Sequence, residues 1–117
     1  MYDMPHFILD CSLDIAKIQD PKKTMQAVFE AACKTGLFSS NDIKVRLNPL
    51  EHSLVQGSNA NFIHVFGNIM EGRTASQKAN LSKVIVKSLN LLFPDVPIIS
   101  MNIRDFTKDS YFNKSML

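Results

Sequence analysis

Glycine is scarce in this chain, four in 117 residues, and none stands in a phosphate-cradling run ahead of a helix. Cysteine is scarcer still. Cys11 and Cys33 have no metal-type spacing, and two thiols make no disulfide framework, so both are expected as reduced residues of a cytoplasmic protein. Charge of one sign is also lacking: 13 Lys and Arg against 11 Asp and Glu leave a net charge of +2. That balance argues against nucleic acid or an anionic membrane surface as partner. No stretch approaches the roughly 20 apolar residues of a membrane span, and no basic segment followed by an apolar run marks a signal peptide. His6, His52 and His64 show no HxxxH, HxH or Cys-His spacing, so no metal site is expected. There is no nucleophile elbow, and the acidic residues form no evident pair.

What is present is a duplicated plan. Phe7 to Cys11 reads as a strand, and Asp20-Pro21 as a helix start with Asp20 as N-cap. Met25, Val28, Phe29, Ala32 and Cys33 recur at helical spacing, and Gly36 follows as the C-terminal cap. Ile43, Val45 and Leu47 then alternate with polar residues as a half-buried strand, which Asn48-Pro49 is expected to break. After a polar loop around Gly57-Ser58-Asn59 the plan repeats. Phe62 to Ile69 is a strand, Gly72-Arg73-Thr74 a turn with Thr74 as N-cap, and Leu81, Val84, Ile85, Ser88, Leu89 and Leu92 an inner helical stripe. Pro94 and Pro97 end that helix, and Ile98 to Ile103 forms a fourth strand. No long linker divides the halves.

Two β-α-β units side by side predict an α/β (α+β) domain, a four-stranded mixed sheet with two helices on one face. The other face then carries alternate Phe and Ile side chains of the first and third strands. It is too apolar to be left open, so a homo-oligomer is expected.

Among candidates for chemistry, Lys44 and Arg46 lie two apart on a strand and point to one side. Arg73 sits at the turn into the second helix, where backbone N–H groups also favour anions. Such cations hold carboxylates, arginine in bidentate geometry; by spacing alone they read rather as solvated surface charge. His64 alternates with Phe62 and Phe66 and reads as a hydrogen-bonded core histidine, while His6 adjoins Pro5 and is only a weak candidate for orienting or tuning it. Phe38, Phe62, Phe66 and Phe112 are candidates for an apolar wall or for the core.

The segments MPHFILDCS, KTGLF, DIKVRL, EGR and the late YFNK resemble the 5-carboxymethyl-2-hydroxymuconate isomerases of the tautomerase superfamily, from Met4 to Lys114. The resemblance implies a tautomerase fold, usually trimeric, acting on a small unsaturated dicarboxylate with no metal or organic cofactor. It implies that Pro5 is the catalytic base through a free secondary amine, and that Arg73, Lys44 and Arg46 bind substrate. Lys44 stands where the family has an arginine, so the charge is kept and the planar fork lost.

The N-terminus departs further. With residues 1–4 attached, the nitrogen of Pro5 is a tertiary amide and no base. Either translation starts at Met4, whose removal frees the amine, or residues 1–4 are an extension on an otherwise single domain of residues 5–117. The second case leaves a non-catalytic oligomer that binds carboxylates or a protein partner.

Overall fold

In the computed structural model, which describes residues 4–117, the two β-α-β units build one sheet; Met1, Tyr2 and Asp3, most of the expected extension, lie outside the described residues. Strand β1 is His6–Ser12, and a single helical turn, α1, is Ile15–Ile18. Helix α2 is Pro21–Lys34 and strand β2 is Lys44–Leu50. The second unit is β3, Phe62–Met70, α3, Ala75–Leu92, and β4, Ile98–Phe106. The strand order is β2-β1-β3-β4. The β1–β2 and β3–β4 pairs are parallel, and β1 runs antiparallel to β3. This is the four-stranded mixed sheet expected from the duplicated pattern.

Local chemistry sets the helix ends. The Asp20 carboxylate accepts the Lys22 N–H at 3.0 Å, and Pro21 opens α2 where its missing N–H costs nothing. Gly36 follows α2 with φ +73°, a left-handed cap that other residues resist. At α3 the Thr74 hydroxyl accepts the Gln77 N–H at 3.1 Å, and the Gln77 side chain accepts the Thr74 N–H at 2.9 Å. This reciprocal box satisfies two helix-end donors. Thr74→Ala is expected to cost about 1 kcal/mol, lowering the melting temperature by roughly 4 °C. A thermal melt unchanged by the substitution would show that the box contributes nothing.

The core lies between the sheet and the two long helices. Phe7, Leu9 and Cys11 of β1 and Ile63, Val65 and Ile69 of β3 point into it and are fully buried. Leu81, Ile85 and Leu89 of α3 meet them, as the apolar stripe predicted. Helix α2 is rotated from its expected face. Thr24, Val28, Ala31 and Ala32 are its buried residues, while Met25, Phe29 and Cys33 are only half-buried. Small alanines let the helix backbone approach the sheet, so its closest face is not its bulkiest one. Thr24 hides its hydroxyl by donating to the Asp20 carbonyl at 3.4 Å.

Pro49 does not break β2, which continues through it to Leu50. β2 is an edge strand, where a proline lacking its N–H leaves no sheet partner unsatisfied. Cys11 is a buried thiol, pushed up to about 11 by burial and by the adjacent Asp10 carboxylate. A thiol reagent at about pH 8 is expected to leave Cys11 unmodified until the chain unfolds, since only the thiolate attacks. Rapid labelling of Cys11 in the folded protein would contradict this burial.

Candidate active site

The pairing of the strands decides which residues meet. His6 of β1 is level with Lys44 of β2 and with Asn68 of β3, and Asn68 is level with Arg104 of β4. Pro5 therefore lies at the end of the sheet where β2 begins and β3 finishes. The turn carrying Arg73 leaves β3 at that same end.

Pro5 is buried, and its carbonyl accepts the Lys44 N–H at 3.0 Å. The Lys44 ammonium reaches back over the Met4–Pro5 junction, 3.4 Å from the Met4 sulfur, and donates to the Asp42 carbonyl at 2.9 Å. Pro5 and Lys44 are thus brought together. Arg73 occupies the helix-covered side. Its guanidinium donates to the Leu37 carbonyl at 2.7 Å and lies 5.0 Å from the centre of the Phe38 ring. Phe38 in turn meets Phe7 edge-on at 6.0 Å, which places Arg73 two side chains from the strand that Pro5 leads into. These bonds hold the guanidinium plane in a fixed orientation.

Arg46 follows Lys44 on the same face of β2. It projects from the uncovered sheet face, and its Nη1 donates to His6 Nδ1 at 3.1 Å. Arginine has no acceptor, so that histidine nitrogen carries a lone pair and the neutral ring has its proton on Nε2. Burial, then the charges of Arg46 and Lys44, hold the His6 pKa below its ordinary 6.5. His6 thus contributes stability that is whole above 6.5 and is lost as the pH falls through 6.5 toward its depressed folded value. Urea unfolding at about pH 7 and about pH 5 is expected to show a smaller loss of stability in His6→Asn than in the parent. Equal losses in the two proteins would remove His6 from this account.

The uncovered face holds Ile8, Phe62 and Phe66 as expected, but polar side chains are set among them. His64 lies there and not in the helix-covered core, bonded through Nδ1 to Ser100 Oγ at 2.7 Å and through Nε2 to Asn102 Oδ1 at 2.6 Å. The four candidate phenylalanines form no common wall: Phe38 is buried, Phe62 and Phe66 are half-buried on the sheet face, and Phe112 is 64% exposed. Arg104 and Asn68 carry no signal in the sequence pattern, and Tyr111 enters it only within the YFNK segment. With His6 and Arg46 they line a concavity of about 460 Å³. Among the described residues no group of three or more His, Cys, Asp or Glu side chains is placed to hold a metal ion. No described helix is long and apolar enough to cross a membrane.

The family model for 5-carboxymethyl-2-hydroxymuconate isomerase matches residues 5–116, beginning at Pro5. The chain belongs to this isomerase family. Its fold is also that of solved tautomerases. A 5-carboxymethyl-2-hydroxymuconate isomerase from Deinococcus radiodurans R1 superposes with a TM-score of 0.81 at 21% identity, over 96% of this chain and 90% of that one. Pt0534, solved after inactivation by 2-oxo-3-pentynoate, gives 0.81 at 17% identity over 93% and 91% of the two chains. A fused 4-OT that forms a symmetric trimer gives 0.80 at 19% identity over 96% and 95%. No curated protein matches at the sequence level. Within this isomerase-family chain, Pro5 and Lys44 meet at one end of the sheet, Arg46 and His6 lie beside Lys44 on the uncovered face, and Arg73 stands on the helix-covered side of the same end.

Proposed function

We propose that the protein is a cytoplasmic, cofactor-independent isomerase that moves a proton along a conjugated 2-hydroxy or 2-oxo dicarboxylate, with the free amine of Pro5 as general base and then acid. The observation that carries this reading is the family match beginning at Pro5, on a chain whose Lys44 ammonium lies against the residue preceding it. In the reaction the amine takes a proton from the enol oxygen, or from carbon next to the conjugated carbonyl. The electron pair spreads through the dienolate, and the ammonium of Pro5 returns the proton further along. Arg73 and Lys44 hold carboxylate and developing oxyanion charge at that end of the sheet, and Arg46 adds positive charge from the uncovered face.

A homotrimer is part of the proposal. It is supported by the trimeric fused 4-OT relatives of the same fold and by the apolar side chains left on the uncovered face. One observation favours a second reading: in this chain Pro5 is acylated by Met4 and buried, so with residues 1–4 in place the protein would bind carboxylates without turning them over.

An assay of ketonisation of a 2-hydroxymuconate-type dienol, run on a chain beginning at Pro5, tests the proposal. Conversion faster than the buffer reaction is expected. Binding of the dienol without conversion would replace the isomerase with the carboxylate-binding reading. Ynones such as 2-oxo-3-pentynoate supply a second probe, because they alkylate a free secondary amine and leave an amide untouched.

A further inference from the structure

We propose that the groove between α2 and α3, floored by Ala27, Ala31 and Val84 and rimmed by Lys34 and Lys87, docks an acidic amphipathic helix of a partner protein. The groove lies on the helix layer, across the sheet from the face left for subunit packing. It does not rest on the isomerase reading.

Charge gives the first argument. The net charge of +2 hides a segregation between the helices and the rest of the chain. Helices α2 and α3 carry Lys22, Lys23, Lys34, Lys78, Lys83 and Lys87 against the single acidic residue Glu30. The remainder of the chain is therefore net acidic. Lys78 is taken by the Asp105 carboxylate at 2.9 Å. Among the described residues Lys34, Lys83 and Lys87 meet no carboxylate, and all three are exposed. Positive charge is left along both sides of the groove.

Shape gives the second argument. The two helices run antiparallel: the Gln19 amide, ahead of α2, donates to the Leu92 carbonyl that ends α3 at 3.1 Å. Ala27, Glu30, Ala31 and Lys34 recur on α2 at spacings of three and four, and Asn80, Val84, Lys87 and Leu91 do so on α3. Each set is one face of its helix. Ala27 and Ala31 are too small to form a ridge, which leaves a trough of about 580 Å³. Leu91 stands at its side 76% exposed, with nothing covering it. From Asn80 to Leu92 the α3 wall runs about 18 Å, or about three helical turns. A third helix laid there sets its apolar ridge against the alanines. Its flanking carboxylates then face Lys34 on one wall and Lys83 and Lys87 on the other, and the position opposite Glu30 is left without an acid. A second copy of this chain fits poorly, because groove-to-groove contact sets lysine against lysine. A flat lipid surface does not reach the recessed Ala31, which is 6% exposed.

The test uses the full chain and a synthetic peptide of about 18 residues, long enough to be helical alone, with leucines three and four apart and glutamates on both flanks. Amide shifts in the NMR spectrum are expected at Ala27, Ala31, Lys34, Val84 and Leu91, and binding is expected to weaken with added salt. Lys34→Glu combined with Lys87→Glu should bind the peptide about tenfold more weakly, the size of two reversed rim charges. Leu91→Ala should bind severalfold more weakly with an unchanged melting temperature, and it keeps the test if charge reversal disturbs folding. Equally tight binding of a lysine-flanked peptide, or of the same residues in scrambled order, would overturn the proposal. So would unchanged binding in both variants. Shifts at these residues from phosphatidylserine vesicles, and none from the peptide, would assign the face to a lipid surface instead. Loss of the oligomer on charge reversal, read by light scattering, would make the groove a subunit contact and equally overturn the proposal.

Discussion

Removing residues 1–4 is expected to raise isomerase activity by about 10²–10⁴-fold, the range that a positioned general base contributes. The whole effect turns on one nitrogen. Joined to Met4, it is an amide whose lone pair is delocalised into the carbonyl and takes no proton near neutral pH. Released, it is a secondary amine. Free α-amino groups titrate near 7.7–8.0, and neighbouring cations lower that value because they disfavour a further positive charge. Lys44 is such a neighbour, with its ammonium 3.4 Å from the Met4 sulfur and its N–H on the Pro5 carbonyl. The rate is expected to rise with pH through the pKa of the Pro5 amine, which is the base only when unprotonated. Pro5→Ala in the shortened chain should lower activity, since a primary amine in the same place is more flexible and differently basic. If the shortened and full-length chains turn over a dienol at the same rate, Pro5 is not the base.

Arg73→Ala in the shortened chain is expected to lower kcat/KM by roughly 10²–10³-fold, the cost of removing one group that stabilises developing negative charge. The guanidinium is preorganised: the Leu37 carbonyl holds one edge at 2.7 Å, and the Phe38 ring supports its face at 5.0 Å. The same contacts mean that the substitution also destabilises the fold, by about 1–2 kcal/mol from the lost hydrogen bond and ring contact. Kinetics and urea unfolding measured together separate the two effects. Arg73→Lys should preserve the charge, lose the fork, and fall between parent and alanine in kcat/KM. A parent-like kcat/KM in Arg73→Ala would leave the carboxylate to Lys44 and Arg46.

Those elements whose cause is local were legible in the residues themselves. Asp20-Pro21, Gly36 and Thr74 mark helix ends because caps act within a few residues of where they stand. The stripe of α3 was legible because Leu81, Ile85 and Leu89 are large and evenly spaced. What depended on distant partners was not. The buried face of α2 is chosen by small residues that permit close approach, and apolar size alone pointed to Met25 and Phe29 instead. Pro49 reads as a strand end, and only the strand order shows that β2 is an edge that tolerates it.

The candidate site divides in the same way. Pro5, Lys44, Arg46 and Arg73 stood out because each sits in a distinctive segment near a strand start or turn. That Lys44 and Arg46 share the uncovered face while Arg73 lies on the helix-covered side follows from register and from the direction each side chain takes, neither of which composition records. Arg104 was hidden for a simple reason. It follows the apolar run of β4 and looks like the residue that ends it, whereas β4 continues to Phe106 and carries Arg104 level with Asn68. Only that pairing brings Arg104 to the concavity shared with Arg46.

The central claim is that the nitrogen of Pro5, once free, is the reacting base. Its most direct test is peptide mapping by mass spectrometry after treatment with 2-oxo-3-pentynoate, comparing the full-length chain with one that begins at Pro5. An amine adds to the conjugated alkyne and gains the mass of the reagent, with no leaving group. The account predicts a single adduct on the Pro5 nitrogen of the shortened chain, formed together with loss of activity, and no adduct at Pro5 in the full-length chain. Inactivation of the shortened chain with the label on Lys44 or elsewhere, and Pro5 unmodified, would contradict it.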